Sequence, residues 1–95
     1  MPKAVASHIL VRTEDEANEL RDQLEVGADF AELAKSHSTC PSAQQGGSLG
    51  QFAQGEMVPE FDHVVFDDAL AEGDVSEPVK TQFGYHLIKL EQRTE

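Results

Sequence analysis

From Ala4 to Arg12 the chain alternates around the β-branched residues Val5, Ile9 and Val11, the period of a strand. The period then changes. Thr13-Glu14-Asp15-Glu16 has the form of a capping box, in which a threonine oxygen accepts an N-terminal amide and the acids complement the helix dipole. Ala17, Leu20 and Leu24 mark the buried stripe of the helix that follows, and Gly27 suits the left-handed residue that ends it. Asp29 and Glu32 repeat the start signal. Phe30, Leu33, Ala34 and His37 fall at i, i+3, i+4 and i+7, which predicts a second helix with His37 on its buried stripe.

From Ser38 to Gly50 the chain is rich in Ser, Pro, Gln and Gly, a composition that favours a loop with at most one short helical turn. Ser48 to Phe52 reads as a short strand and Gln54-Gly55 as a turn. Pro59 suits the first turn of a helix whose apolar positions are Phe61, Val64, Val65 and Phe66. Gly73-Asp74 closes that region. Val75 to Val79 reads as a strand limited by Pro78, and Tyr85 to Leu90 as a longer one entered through Gly84. Strand, helices, strand, helix and two strands predict an α+β domain with an antiparallel or mixed sheet.

Length and charge narrow the function. Ninety-five residues, 10.4 kDa, make one domain, residues 1–95, with a single core and no room for a second. No apolar run approaches the roughly 20 residues that span a bilayer, so no membrane partner is expected. The single cysteine, Cys40, forms no internal disulfide, and Met1 to Val11 reads as a strand and not as a signal peptide, so a cytoplasmic protein is expected. Eighteen acids against seven Lys and Arg give a net charge of −11, which argues against binding a nucleic-acid backbone. Eight acids fall between Glu14 and Glu32 and seven between Glu60 and Glu77, a distribution expected of solvated helix faces.

Four features carry candidate chemistry. His8 and His86 sit within the first and last predicted strands, where a buried imidazole must find hydrogen-bond partners; neighbouring strands would let the two bond to each other, with Ser7 and Thr81 supplying nearby hydroxyls. Cys40 lies three residues after His37 in a polar loop, which admits a thiol nucleophile or half of a zinc site, although no second Cys pair completes the latter. Gly46-Gly47-Ser48-Leu49-Gly50 lacks the Lys-Ser/Thr of a phosphate loop and reads instead as a tight entry into the next strand. Met57 and Phe61 stand four apart at a helix start, a spacing common in core packing.

Taken in order, these segments resemble the parvulin family of peptidyl-prolyl cis/trans isomerases, especially its small single-domain bacterial members. The resemblance covers nearly the whole chain. It rests on Ser7-His8-Ile9-Leu10-Val11, Phe30-Ala31-Glu32-Leu33-Ala34, Ser38-Thr39-Cys40-Pro41-Ser42 and Gly46-Gly47-Ser48-Leu49-Gly50-Gln51-Phe52. Gln54-Gly55-Glu56-Met57-Val58-Pro59-Glu60-Phe61 and Thr81-Gln82-Phe83-Gly84-Tyr85-His86 complete the series.

The resemblance implies a four-stranded antiparallel sheet with about four helices, in the order β-α-α-α-β-α-β-β. It implies that His8 and His86 are paired beneath the active site with Thr81 in their network, and that Cys40 faces the substrate peptide bond. Leu49, Met57 and Phe61 would hold the proline ring, with Phe52 and Phe83 lining or supporting that pocket, and truncating Met57 or Phe61 is expected to leave the fold intact if these side chains face the groove. The implied activity is isomerisation of X-Pro bonds during protein folding, without cofactor or metal, by a monomer acting on flexible proline-containing segments. Relatives that require phosphate before proline carry a long basic loop after the first strand. Val11-Arg12-Thr13-Glu14-Asp15-Glu16 makes that passage here with one Arg and three acids, and Ala43-Gln44-Gln45 leaves the groove edge uncharged, so no phosphate specificity is expected. The alternatives are a proline-segment binding or holdase module with little catalysis, and a cysteine hydrolase built on Cys40.

Overall fold

The chain forms β1 (Lys3–Val11), α1 (Glu14–Glu25), α2 (Phe30–His37), a 3-10 helix (Pro41–Gln45), β2 (Ser48–Ala53), α3 (Pro59–Val65), β3 (Val79–Thr81) and β4 (Gly84–Thr94). The computed structural model describes residues 2–67 and 70–94. Met1 and Glu95, the outermost residues of the expected domain, and two positions within the acidic stretch Glu60 to Glu77 lie outside the described residues. The four strands make one antiparallel sheet in the order β2-β1-β4-β3. The α+β class and the four-stranded antiparallel sheet stand as expected, and the third of the expected helices is a 3-10 turn.

The start signals work as the residue types dictate. Thr13 Oγ1 accepts the Glu16 amide at 3.2 Å, Asp29 Oδ2 accepts the Glu32 amide at 3.1 Å, and Pro59 opens α3, where its missing N–H costs nothing. Two expectations fail. Val75 to Val79 is not a strand: Val75 makes a single bridge to Lys89, and β3 begins only at Val79. Pro78 has no amide for a ladder, and Ser76 pairs with Ile88 partly through its side chain, the Ile88 amide donating to Ser76 Oγ at 3.1 Å. His37 is exposed and does not continue the buried stripe of α2, which ends at Ala34 because the chain leaves the helix to bond Leu10.

Alternation along β1 and β4 gives the sheet two apolar faces. Ala4, Ala6, Ile88 and Leu90 lie under α3 with Phe52, Phe61 and Val65, while Ile9, Val11 and Leu87 meet Ala17 and Leu20 of α1 and Phe30 and Ala34 of α2. Arg93 ties the last strand to the end of α3: its Nη1 lies 3.1, 2.9 and 2.8 Å from the carbonyls of Val65, Asp67 and Leu70. The guanidinium thus bonds the last carbonyl of α3, that of Val65, and two carbonyls of the chain that follows the helix.

β2 pairs with β1 no further than Ser7. Beyond it the outer edge of β1 is met by the loop: the His8 amide donates to the Gly47 carbonyl at 2.9 Å, the Leu10 amide to Ser38 Oγ at 3.0 Å, and the Thr39 amide to the Leu10 carbonyl at 2.8 Å. Gly47 has φ +84°, and a Cβ on it would stand 2.3 Å from the His8 carbonyl oxygen. Gly47→Ala is therefore expected to destabilise the fold by at least about 1 kcal/mol, with loss of activity as the loop is pushed from β1. A variant with the parent's denaturation midpoint would show that this close approach is dispensable.

Candidate active site

The register His8↔Ile88 and Leu10↔His86 makes the two histidines diagonal neighbours on the α3 face of the sheet. Their rings stack at 5.1 Å between centroids and 15° between planes, and His8 Nδ1 lies 2.9 Å from His86 Nδ1. His86 Nε2 reaches Thr81 Oγ1 at 2.8 Å, and His8 Nε2 reaches Ser42 Oγ at 3.2 Å. All four ring nitrogens are thus engaged. The chain Ser42-His8-His86-Thr81 has only two self-consistent senses, because a bond between two Nδ1 atoms needs one donor and one acceptor. In one sense Ser42 donates to His8, His8 to His86 and His86 to Thr81; in the other every donor reverses.

Ser42, on the 3-10 helix, carried no separate signal in the sequence. Its place follows from the glycine loop, since the Gly47 amide donates to the Ser42 carbonyl at 2.9 Å while Gly47 also holds His8. Ser7, expected near the pair, instead donates to Glu91 Oε1 at 3.3 Å. Thr81 is oriented by the turn into β4, where the Phe83 amide donates to its Oγ1 at 3.2 Å.

Phe61 stands edge-on to both imidazoles, 5.8 Å from His8 at 76° and 6.0 Å from His86 at 90°. Burial against it disfavours charge. His8 is pushed down to about 4, by desolvation first and by the neighbouring His86 second. His86 is also held below the ordinary imidazole value by burial, with the Glu60 carboxylate opposing the shift. Both rings are neutral at pH 7.

Above the pair lies a cavity of about 340 Å³. Leu49, Met57, Val58 and Phe61 supply its apolar wall, Cys40 and Thr39 its polar edge, and His8 and His86 its floor. Phe83, 61% exposed, stands at the rim. The structure thus brings together His8, Cys40, Thr81, His86, Leu49, Met57, Phe61 and Phe83. Phe52 does not line the cavity; it is buried behind Phe61, with ring centroids 6.0 Å apart, and supports it. Phe61 faces the cavity but is only 3% exposed and belongs to the core under α3, so its truncation is expected to cost stability as well as binding. Leu10, Thr39, Pro41 and Val58 also line the cavity; they stand within the motif segments, but nothing in their residue types singled them out there.

The geometry answers the nucleophile question. Cys40 is half-buried at the cavity wall, but the histidines beside it have no free ring nitrogen to act as its base, and His37 is exposed and not part of the lining. A larger depression of about 800 Å³ between Arg21, Asp67, Asp74 and Glu77 is open and contains neither histidine nor cysteine. Among the described residues no group of three or more His, Cys, Asp or Glu is arranged to hold a metal ion.

The family described as Rotamase: PPIC-type PPIASE domain matches residues 6–92. Foldase protein PrsA of Exiguobacterium sibiricum is 53% identical over 91 residues, which are 95% of this chain and 30% of that protein. The crystal structure of PrsA from Bacillus anthracis superposes with a TM-score of 0.93 at 44% identity, covering 99% of this chain and 43% of the other. NmPin, the parvulin of Nitrosopumilus maritimus, gives a TM-score of 0.84 at 43% identity and covers 95% of this chain and 96% of its own. The chain spans about a third of the length of the curated PrsA proteins it matches.

The buried pair makes stability depend on pH. Below about 6.5 an unfolded histidine takes up a proton that folded His8 refuses until about 4, so stability is fully present above that range and falls as pH drops through it. The expected loss for His8 is about 2 kcal/mol between pH 7 and 5, above the range in which most carboxylates titrate. Urea denaturation across that range measures it. His8→Ala should start about 1 to 3 kcal/mol lower at pH 7, with His86 left unpaired, and lose less on acidification. Equal slopes for parent and variant would contradict a buried neutral His8.

Proposed function

The chain belongs to the PPIC-type peptidyl-prolyl isomerase, or rotamase, family, and we propose that it catalyses rotation about X-Pro peptide bonds in flexible protein segments, assisting their folding. The observation that carries this reading is the convergence of Leu49, Met57 and Phe61 with Cys40 and the neutral histidine pair around one small apolar cavity. The uncatalysed barrier to peptide rotation is about 18 to 20 kcal/mol, because resonance gives the C–N bond partial double-bond character. A wall that grips the proline ring while the preceding carbonyl swings stabilises the twisted amide, in which that resonance is lost. Lowering the barrier by roughly 4 to 7 kcal/mol gives about a thousand- to hundred-thousand-fold acceleration.

No covalent bond is made or broken, so Cys40 and the histidines serve by setting polarity near the rotating amide. A site with no charge in its lining suits a neutral twisted group, and Thr81 and Ser42 hold the two rings in place. Proline-containing segments of unfolded or flexible proteins fit the names foldase and chaperone carried by relatives of this chain. Phosphate is not required in this proposal, which the absence of Lys and Arg from the lining supports. A cytoplasmic monomer belongs to the same proposal and rests on the lone, half-buried thiol and the net charge of −11.

A protease-coupled assay on a short X-Pro peptide tests the activity, and a bound peptide with no acceleration would favour a holdase. Met57→Ala, which removes half-buried wall rather than core, is expected to lower kcat/KM about tenfold with the fold retained, while Cys40→Ala keeps measurable activity. Complete loss in a folded Cys40→Ala protein would point to covalent chemistry. Matched Ser-Pro and phospho-Ser-Pro peptides should favour the uncharged one, more so at low salt. Preference for the phosphopeptide would reveal an anion site.

A further inference from the structure

Two large apolar side chains stand in solvent among the described residues, Val26 at 86% and Phe83 at 61% exposed. Single exposed apolar residues are ordinary on a protein surface, and Val26, at the end of α1, calls for no explanation. Phe83 differs. It lines the cavity above the histidines, yet its ring makes no aromatic pair among the described residues, whereas Phe61, His8 and His86 of the same lining are paired with one another. The cavity has a volume of about 340 Å³, of which a pyrrolidine ring against Leu49, Met57 and Phe61 fills only part. Beyond that wall the lining includes Leu10 and Phe83, both apolar, and nowhere a Lys, Arg, Asp or Glu.

The backbone beneath the Phe83 ring is pinned. Gln82 and Phe83 form the two-residue turn between β3 and β4, closed by the pairing of Thr81 with Gly84. The Phe83 amide donates to Thr81 Oγ1 at 3.2 Å, and the same Oγ1 lies 2.8 Å from His86 Nε2 on the cavity floor. Gly84, at φ +137°, approaches β1 so closely that a Cβ on it would stand 2.4 Å from the Val11 carbonyl oxygen. The ring is thus carried at the rim by a turn tied both to the floor of the site and to the sheet. An aromatic held in this way and still wet offers apolar area at little further cost in ordering.

We propose that Phe83 is a specificity-determining residue of this site, covering an apolar side chain next to the proline in the bound segment. The inference rests on the isomerase reading and adds a substrate class to it, proline flanked by a large aliphatic or aromatic residue. Such a contact buries area and joins no charges. It therefore survives high salt, unlike the attraction that a net charge of −11 exerts on any cationic peptide.

The test measures kcat/KM at high ionic strength for peptides that differ only in Leu or Ala immediately before, or immediately after, the proline. The parent should favour Leu at one flank by about three- to tenfold. Phe83→Ala should bring that ratio close to one, and Phe83→Leu should keep part of it. Val26→Ala, which removes the other exposed apolar side chain from the end of α1 and outside the cavity, should keep the parent's ratio. An unchanged ratio in Phe83→Ala, or an equal loss in Val26→Ala, would overturn the assignment of Phe83. So would a parent that accelerates the Ala peptides but shows a ratio near one at both flanks. No acceleration of any peptide by the parent would overturn the isomerase reading, and this inference with it.

Discussion

A strand that outruns its neighbour leaves backbone amides and carbonyls without partners, and β1 does so beyond Ser7, where β2 stops. The loop between α2 and β2 meets that need. Ser38 and Thr39 bond Leu10, Gly47 bonds His8, and the residues between them are carried against the strand. Cys40 is thereby set at the cavity wall and Ser42 against His8, so the same backbone requirement that completes the sheet assembles one side of the site. Gly47 serves this contact, since any side chain there would meet the His8 carbonyl.

The histidine pair is the second product of the sheet. Two buried imidazoles with open nitrogens would each cost stability, whereas here every nitrogen is bonded and both rings stay neutral. This closes the route to a thiol nucleophile, because a base for Cys40 would have to abandon a partner. It suits an isomerase, whose reacting group is a neutral amide and whose transition state carries little new charge.

Pocket and core are not separable. Phe61 edges both imidazoles, forms part of the cavity wall and packs on Phe52 within the core beneath α3. Met57 lines the same cavity from outside that core. Arg93, at the far end of α3, ties Val65 and the chain after the helix to β4 through three carbonyls, so the position of the α3 wall of the cavity depends on a residue outside its lining. Substitutions at Phe61 and Met57 consequently report different things, one mixing stability with binding and the other reporting binding.

Much of this was legible along the chain because it depends on local chemistry. Thr13, Asp29 and Pro59 open helices for reasons contained in their own side chains, and the apolar stretches around Ile9 and Leu87 read as strands whatever they pair with. The ordered series of short motifs then led to the family and, with it, to His8, Cys40, Met57, Phe61, Thr81 and His86. What the chain could not disclose were facts about pairs distant in sequence. That β4 meets β1 with His86 diagonal to His8, that β3 waits until Val79, and that Ser42 and not Ser7 bonds His8 all follow from register and from where β2 ends. The exposure of His37 and the burial of Phe61 are of the same kind. A helical wheel or a spacing ranks the faces of an element, but only the neighbouring element decides how far along that face the covering extends.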